Sequence, residues 1–129
     1  MIFSLAIYST PSSQSSRSAY RFAESLITEG HTLFRVFFYH DAAYQGSQLH
    51  CYPQDETNLT QRWQLLAKTH NIDLVICIAA GLKRGVLDTQ EAERYEQPHS
   101  NLSTEFNLSG LGQLVDATVQ SDRVITFGG

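Results

Sequence analysis

The chain has 129 residues, of which 42% are hydrophobic and 17% charged, and its formal net charge is −4. This length and composition predict one globular domain spanning residues 1–129 and argue against a disordered or coiled-coil protein. Because the net charge is negative, we expect no direct contact with nucleic acid. No apolar run reaches the roughly 20 residues that span a bilayer, so we expect no membrane association. No basic leader precedes the first apolar run, and we therefore expect a cytoplasmic protein.

The first third of the chain predicts a strand, a helix and a second strand. Residues 2–8 form a continuous apolar run typical of a buried strand, and a polar turn follows at 10–13. From about Ser16, apolar residues recur at helical spacing as far as Gly30, where the helix is expected to end. Aromatic and β-branched residues at 33–39 predict a second strand. Units of this kind build parallel sheets.

The middle of the chain predicts a loop, a helix and a central strand. Residues 40–57 carry scattered polar groups without a period, so we interpret them as one long loop, and such loops are often functional. Residues 58–70 begin with a capping pattern and continue with one apolar face, which predicts a second helix. The apolar run at 73–79 is typical of a strand that is covered on both faces.

The last third predicts two further helices and a closing strand at 123–127. Asp88, with Glu91 at the capping-box offset, indicates a short helix. The final helix is predicted over 111–120, with an apolar side formed by Leu111, Leu114, Val115 and Val119. Alternation of strands and helices along the whole chain predicts a three-layer α/β/α sandwich with a mostly parallel sheet of four or five strands, flavodoxin-like in shape.

The predicted strand ends direct attention to one cysteine. Ligands of open α/β sheets bind outside the carboxyl ends of the strands, and the third strand brings Cys77 to that edge, with Lys83 and Arg84 in the segment that follows. Thiolate is the reactive form of cysteine. A helix N-terminus stabilises an anion by only about 0.3–1 kcal/mol, so a reactive Cys77 would also need a neighbouring cation to stabilise its thiolate. An unpaired cysteine in an apolar strand is as readily a small hydrophobe of the core, and the residues alone leave both roles open.

Other side chains fall near the same edge. Tyr8 and Tyr39 end the first two strands and serve either the site or packing, whereas His40, beside Asp41, either moves protons or makes surface hydrogen bonds. Cys51 lies in the long loop, where it could resolve a persulfide only if that loop folds over the site.

Signatures of metal and cofactor sites are missing from the sequence. The cysteines and the five histidines show no CxxC or HxxxH spacing, and no Gly-x-Ser-x-Gly pattern marks a hydrolase nucleophile. Gly110 and Gly112 lack the remainder of a dinucleotide-binding fingerprint. We therefore expect neither a metal nor an organic cofactor.

Four stretches distributed over the chain carry a resemblance to a known family: FRVFFYHD at 34–41, CIAAGLKRGVLD at 77–88, FNLSGLGQL at 106–114 and SDRVITF at 121–127. Together they resemble the TusD and DsrE family of sulfurtransferase subunits. In that family the sulfur-carrying cysteine precedes an alanine pair and a basic-Arg-Gly triplet, which implies Cys77 as the carrier. Arg84 matches the arginine of this triplet, whereas Lys83 stands where the family more usually has a first arginine. The turn at 10–12 departs from the glycine-containing versions of the family, and Cys51 matches no part of its motif.

The resemblance also implies partners. It suggests a hetero-hexamer with two related small α/β subunits, which passes persulfide sulfur between upstream and downstream carrier proteins. The relay would serve either 2-thiolation of the wobble uridine of certain tRNAs or dissimilatory sulfur oxidation, and the sequence favours neither. The competing hypothesis is a non-catalytic, flavodoxin-like binding or structural subunit in which Cys77 is an inert part of the core.

Overall fold

The computed structural model describes all 129 residues and alternates five strands with five α-helices and one 3-10 helix. The strands are β1 (Ile2–Ile7), β2 (Thr32–Phe38), β3 (Asp73–Cys77), β4 (Phe106–Ser109) and β5 (Arg123–Phe127). The helices are α1 (Gln14–Thr28), α2 (Leu59–His70), α3 (Ile78–Lys83), α4 (Thr89–Arg94) and α5 (Gly112–Gln120), and the 3-10 helix covers His40–Gly46. None of these helices combines the length and the hydropathy that a bilayer crossing requires.

All neighbouring strands pair in parallel, in the order β4-β3-β2-β1-β5. Successive side chains of a strand point to opposite faces, and β2 shows which helices cover each face. Phe38 packs against Trp63 of α2, whereas Arg35 bonds to Asp116 of α5. The helices α1 and α2 therefore lie on one face and α5 lies on the other, which confirms the predicted α/β architecture with a parallel sheet.

The face that α1 and α2 cover holds an aromatic core. Trp63 is fully buried and meets two rings edge to face, with centroids 5.0 Å from Tyr20 and 5.6 Å from Phe38. Phe38 also packs 5.6 Å from Phe106 of β4. Edge-to-face pairs of this kind add about 0.5–1.5 kcal/mol beyond the burial of their surface. This cluster links both helices to the central strand β2 and the edge strand β4.

The other face is held by an ionic network instead. Arg35 is almost fully buried, and its Nε donates to Asp73 Oδ2 at 2.6 Å. Its Nη1 donates to Asp116 Oδ2 and to the carbonyl of Gln113, both at 2.9 Å. Burial lowers the pKa of Arg35, but the hydrogen bonds and the negative charges of Asp73 and Asp116 outweigh burial and raise that pKa above its ordinary value. The guanidinium thus ties α5 to the start of β2 and β3.

This network explains why α5 differs from its prediction. The helix is present, but of its predicted apolar side only Leu114 packs against the core, whereas Leu111, Val115 and Val119 face outward. Toward the sheet the helix also offers the Gln113 carbonyl and Asp116 to Arg35. Of its residues only Ala117 is buried. The exposed apolar stripe of α5 consists of Leu111, Val115 and Val119, which are 59%, 62% and 75% exposed.

Three other predictions need correction. The predicted strand at 73–79 ends at Cys77, because α3 begins at Ile78, and an apolar run alone does not distinguish a strand from a buried helix. The loop predicted at 40–57 begins with a 3-10 helix, a short element that leaves no periodic pattern. The strand β4 went unpredicted because four residues on the edge of the sheet carry too little pattern. The short helix α4 is confirmed, with Asp88 as its cap.

We predict that Arg35→Met lowers the free energy of unfolding by about 2 kcal/mol, because it leaves two carboxylates without their shared cation and loses charged hydrogen bonds. Urea denaturation followed by circular dichroism measures the change. Arg21→Met is the matched control, since Arg21 is exposed and takes part in no salt bridge or side-chain hydrogen bond of the structure, so its effect should stay within about 0.5 kcal/mol. Equal effects of the two substitutions would contradict the anchoring role of Arg35.

Candidate functional site

The parallel sheet brings the carboxyl ends of all five strands to one edge of the molecule. Tyr8 directly follows β1, Tyr39 and His40 follow β2, and Cys77 is itself the last residue of β3. Backbone hydrogen bonds keep these ends in register, from Tyr8 N to Phe127 O and from Tyr39 N to Ile7 O, both at 3.0 Å. The edge predicted from the sequence to hold the site therefore exists, and it gathers most of the candidate residues.

Cys77 lies at the junction between β3 and α3. Alternation along β3 turns Cys77 to the same face as Asp73, which is the face that α5 covers. The thiol is free, the residue is only 7% exposed, and its side chain caps no N–H group of the helix that follows. The structure thus places a buried, unpaired thiol at the edge of the sheet formed by the carboxyl ends of the strands.

Arg84 is held at this edge by two hydrogen bonds. Its Nε donates to Asp41 Oδ1 at 3.1 Å, and its Nη1 donates to the carbonyl of Ala80 at 3.2 Å. The Arg84 side chain is 22% exposed and that of Asp41 is 61% exposed, so water screens the ion pair only in part. Arg84 is therefore the partner of a carboxylate rather than an isolated cation. In the sequence, Asp41 was considered only as a neighbour of His40. Its position just after β2, with the cation Arg84 following β3 at the same edge of the sheet, could have predicted the ion pair.

Arg84 and Asp41 line a depression of about 370 Å³. Its other lining residues are Tyr8, Ser9, Thr10, His40 and Gly129. Hydroxyl, imidazole and guanidinium groups share this surface, so it can hold a small polar group by hydrogen bonds. Ser9 and Thr10 were not among the predicted site residues. Cys77 does not line the depression, so the structure brings Tyr8, His40 and Arg84 together but leaves the thiol outside this lining.

Three aromatic rings pack against one another at angles of 41° and 49°, and two of them, Tyr8 and His40, line the depression. Tyr39 lies between two other rings, with centroids 5.6 Å from Tyr8 and 4.9 Å from His40. The Tyr8 ring also covers Gly128, where an added Cβ would overlap the ring, so a larger residue at this position would require the Tyr8 ring to move. His40 has φ 50, a left-handed conformation that histidine tolerates better than most residues, and this turn starts the 3-10 helix that carries Asp41.

The two remaining candidates lie elsewhere. Lys83 is adjacent to Arg84 in the chain but lines a different and larger groove. Cys51 is exposed in the loop after the 3-10 helix, where its Sγ lies 3.5 Å from the carbonyl of Leu49, and it lines neither concavity. No cluster of three or more His, Cys, Asp and Glu side chains is arranged to hold a metal ion.

This chain is similar to known proteins over most or all of its length. The model of the DsrE/DsrF-like family matches residues 1–127. The putative sulfurtransferase DsrE of Allochromatium vinosum is 43% identical over 129 residues, which cover 99% of each chain. The sulfurtransferase TusD homolog of Pseudomonas aeruginosa is also 43% identical, over 100% of this chain and 98% of its own. The sulfurtransferase TusD of Photorhabdus laumondii is 47% identical over 114 residues, covering 88% of this chain and 87% of its own.

Two solved structures share the fold at low sequence identity. The ychN protein of E. coli superposes with a TM-score of 0.75 at 22% identity, covering 98% of this chain and 97% of its own. MTH1491 of Methanobacterium thermoautotrophicum, described as a protein of unknown function, superposes with a TM-score of 0.68 at 11% identity, covering 96% and 97%. At these identities the likeness concerns the fold alone.

Proposed function

The chain belongs to the DsrE/DsrF-like family, and from this membership we propose that it is a sulfurtransferase subunit that carries sulfur as a persulfide on Cys77. The observation that carries the proposal is the position of Cys77, a free thiol at the carboxyl end of a strand in a parallel sheet. That is the place from which the family resemblance implies sulfur transfer. Relatives named sulfurtransferases, 43% and 47% identical to this chain, support the reaction class.

The proposed reaction is an exchange between thiols and needs no outside oxidant. The Cys77 thiolate attacks the outer sulfur of a donor persulfide, R–S–SH, and forms a new S–S bond. The bond between the two donor sulfurs breaks, and the donor leaves as a thiolate, R–S⁻. In the second half-reaction an acceptor thiolate attacks the outer sulfur of the Cys77 persulfide and regenerates the Cys77 thiolate. Charge and sulfur balance in both steps.

The burial of Cys77 suits this cycle. The persulfide bond extends the side chain by about 2 Å, the length of an S–S bond. A nearly buried Sγ with an outer sulfur one bond closer to the surface is shielded from solvent, while the transferable atom stays within reach of a docked thiol. Movement of the loops at the edge would admit the donor, since the residue is 7% exposed in this structure.

Arg84 and Asp41 are the charged side chains that line the depression, and Asp41 holds the Arg84 guanidinium in place. In the proposed carrier the positive charge would help to hold an incoming anionic sulfur and the negative charge would oppose it, each by about 0–1 kcal/mol because both side chains are partly exposed. We assign Tyr8, Tyr39 and His40 to the wall that receives the incoming protein, and Lys83 to docking outside the depression.

The proposed assembly is the hetero-hexamer with two related small α/β subunits that the resemblance implies, working in the cytoplasm between upstream and downstream sulfur carriers. The exposed apolar stripe of α5 supports a need for partners, because three large apolar side chains in a line on one helix leave a surface that association would cover. The relay would supply either tRNA 2-thiolation or sulfur oxidation.

One observation favours a second function, that of a non-catalytic binding subunit. Cys77 is counted among the buried residues of the hydrophobic core and lines neither concavity, as an inert cysteine would. In this function the depression around Arg84 would hold a ligand or a partner loop. The two functions differ in whether Cys77 takes up sulfur.

Sulfur loading separates them. We predict that incubation with glutathione persulfide adds about 32 Da, one sulfur atom, to the wild-type chain, and that Cys77→Ser abolishes the adduct while keeping the fold. Intact-protein mass spectrometry measures both. Cys51→Ser is the matched control and should load like the wild type. An adduct that persists in Cys77→Ser, or one that is missing from the wild type, would exclude the carrier role of Cys77.

The charged pair should tune thiol reactivity in opposite directions. We predict that Arg84→Ala slows alkylation of Cys77 by iodoacetamide at neutral pH about two-fold, and that Asp41→Asn accelerates it about two-fold, because each removes one charge of opposite sign. Measurements in the Cys51→Ser background isolate Cys77. Rates should converge at high salt, where partly exposed charges are screened. Two changes of the same sign would contradict an electrostatic role for the pair.

The stripe of α5 should take part in assembly. We predict that Val115→Asp weakens association with co-expressed related subunits, because it places a charge in an apolar contact. Light scattering reports the loss as a shift of mass toward the 14.5 kDa chain. Leu65→Asp is the matched control, since Leu65 is 68% exposed on α2 and lies outside the stripe. Equal association of both variants would show that α5 is not an interface.

A further inference from the structure

A second concavity, separate from the depression around Arg84, lies beside the loop that follows α3. This groove has a volume of about 850 Å³, within the range of ligand-binding sites. Four apolar side chains, Leu49, Leu82, Leu87 and Tyr95, contribute to its lining. Leu49 is 67% exposed and Tyr95 is 56% exposed, so large apolar side chains border the groove without being covered by the chain itself.

The charge of the groove opposes that of the whole protein. Lys83 is the only Lys, Arg, Asp or Glu among its lining residues, and His99 adds an imidazole. The carboxylates nearest in the chain, Asp88 and Glu96, are not part of the lining, and Asp88 is engaged in capping α4. A groove with a cation and no carboxylate, on a chain of net charge −4, favours a ligand that carries negative charge.

One wall of the groove offers unpaired backbone. Leu102 forms an antiparallel bridge with Ser47, and the flanking bond runs from Gln48 N to Asn101 O at 2.7 Å. Upstream of this short ladder the chain continues through Pro98, His99 and Ser100, which are exposed and make no backbone hydrogen bonds within the chain. Exposed backbone of this kind pairs readily with an extended peptide, whereas a compact small molecule leaves most of it unused.

We propose that this groove binds an extended acidic segment of the protein that exchanges sulfur with Cys77, with apolar side chains in the groove and a carboxylate beside Lys83. The proposal rests on the proposed function for the identity of the partner. The six residues of α3, which separate Cys77 from Arg84 and end at Lys83, span about 9 Å. A protein held in the groove therefore has its anchoring point within about one short helix of the thiol, while Arg84, which does not line the groove, stays free for the site.

An NMR titration of the full chain tests this. The probes are a synthetic peptide, acetyl-Glu-Leu-Phe-Glu-Leu-Asp-amide, its counterpart with lysine at the three acidic positions, and N-acetylglutamate as a small anion. We expect saturable amide shifts from the acidic peptide, confined to residues 47–49, 82–87 and 95–101, and at least five-fold weaker binding of the lysine peptide. Lys83→Glu should weaken the acidic peptide by five-fold or more and strengthen the lysine peptide, whereas Lys68→Glu, the same charge change at an exposed residue outside the groove, should alter neither.

The other outcomes reject the proposal. Absence of saturable shifts at millimolar peptide, shifts centred elsewhere, or equal binding of the acidic and lysine peptides would show that the groove is not this docking site. Binding of N-acetylglutamate as tightly as the peptide would identify a small-anion site instead. Because the titration uses unloaded protein, its result is independent of sulfur loading. Loading without peptide binding rejects the groove alone, and peptide binding without loading rejects the persulfide role of Cys77 and with it the identity of the partner.

Discussion

Parallel pairing of all five strands is the constraint on which the rest of this structure depends. It brings every carboxyl end to one edge, so that residues far apart in the sequence, such as Tyr8, His40 and Arg84, meet around one depression. It also requires a crossover between each pair of successive strands, and these crossovers supply the covering helices. The position of the thiol, at the end of β3 and directly before α3, follows from the same arrangement.

The two faces of the sheet are held by different interactions, and this difference shapes the surface. Aromatic packing around Trp63 covers one face and needs no polar group. The other face contains Arg35, a buried cation that is tolerable only because Asp73 and Asp116 pair with it. Since α5 directs the Gln113 carbonyl and Asp116 toward this cation, Val115 and Val119 remain outside, while Leu114 packs against the core. The same ionic requirement that fixes the helix thus leaves an uncovered apolar surface for association.

The segment after Cys77 contributes neighbouring residues to two different concavities. Arg84 lines the polar depression with Asp41, while Lys83 lines the groove. In the proposed function, a partner bound by the groove would be anchored within a few residues of the thiol without occupying the depression. Such a division suits a carrier that receives sulfur from one protein and delivers it to another, because docking strength and thiol reactivity can then be set by different side chains.

The sequence by itself determined the alternation of elements, the parallel sheet, and the place of Cys77 at a strand end, because hydrophobic periodicity and the succession of strands and helices along the chain are local signals. It did not reveal β4 or the 3-10 helix, whose patterns are too short, nor the boundary between β3 and α3 inside one apolar run. Only the tertiary structure decided the order of the strands in the sheet, the pairing of Arg84 with Asp41, and the outward direction of Leu111, Val115 and Val119. These outcomes depend on partners distant in the chain, and in the case of α5 on the buried charge of Arg35, which no local pattern records.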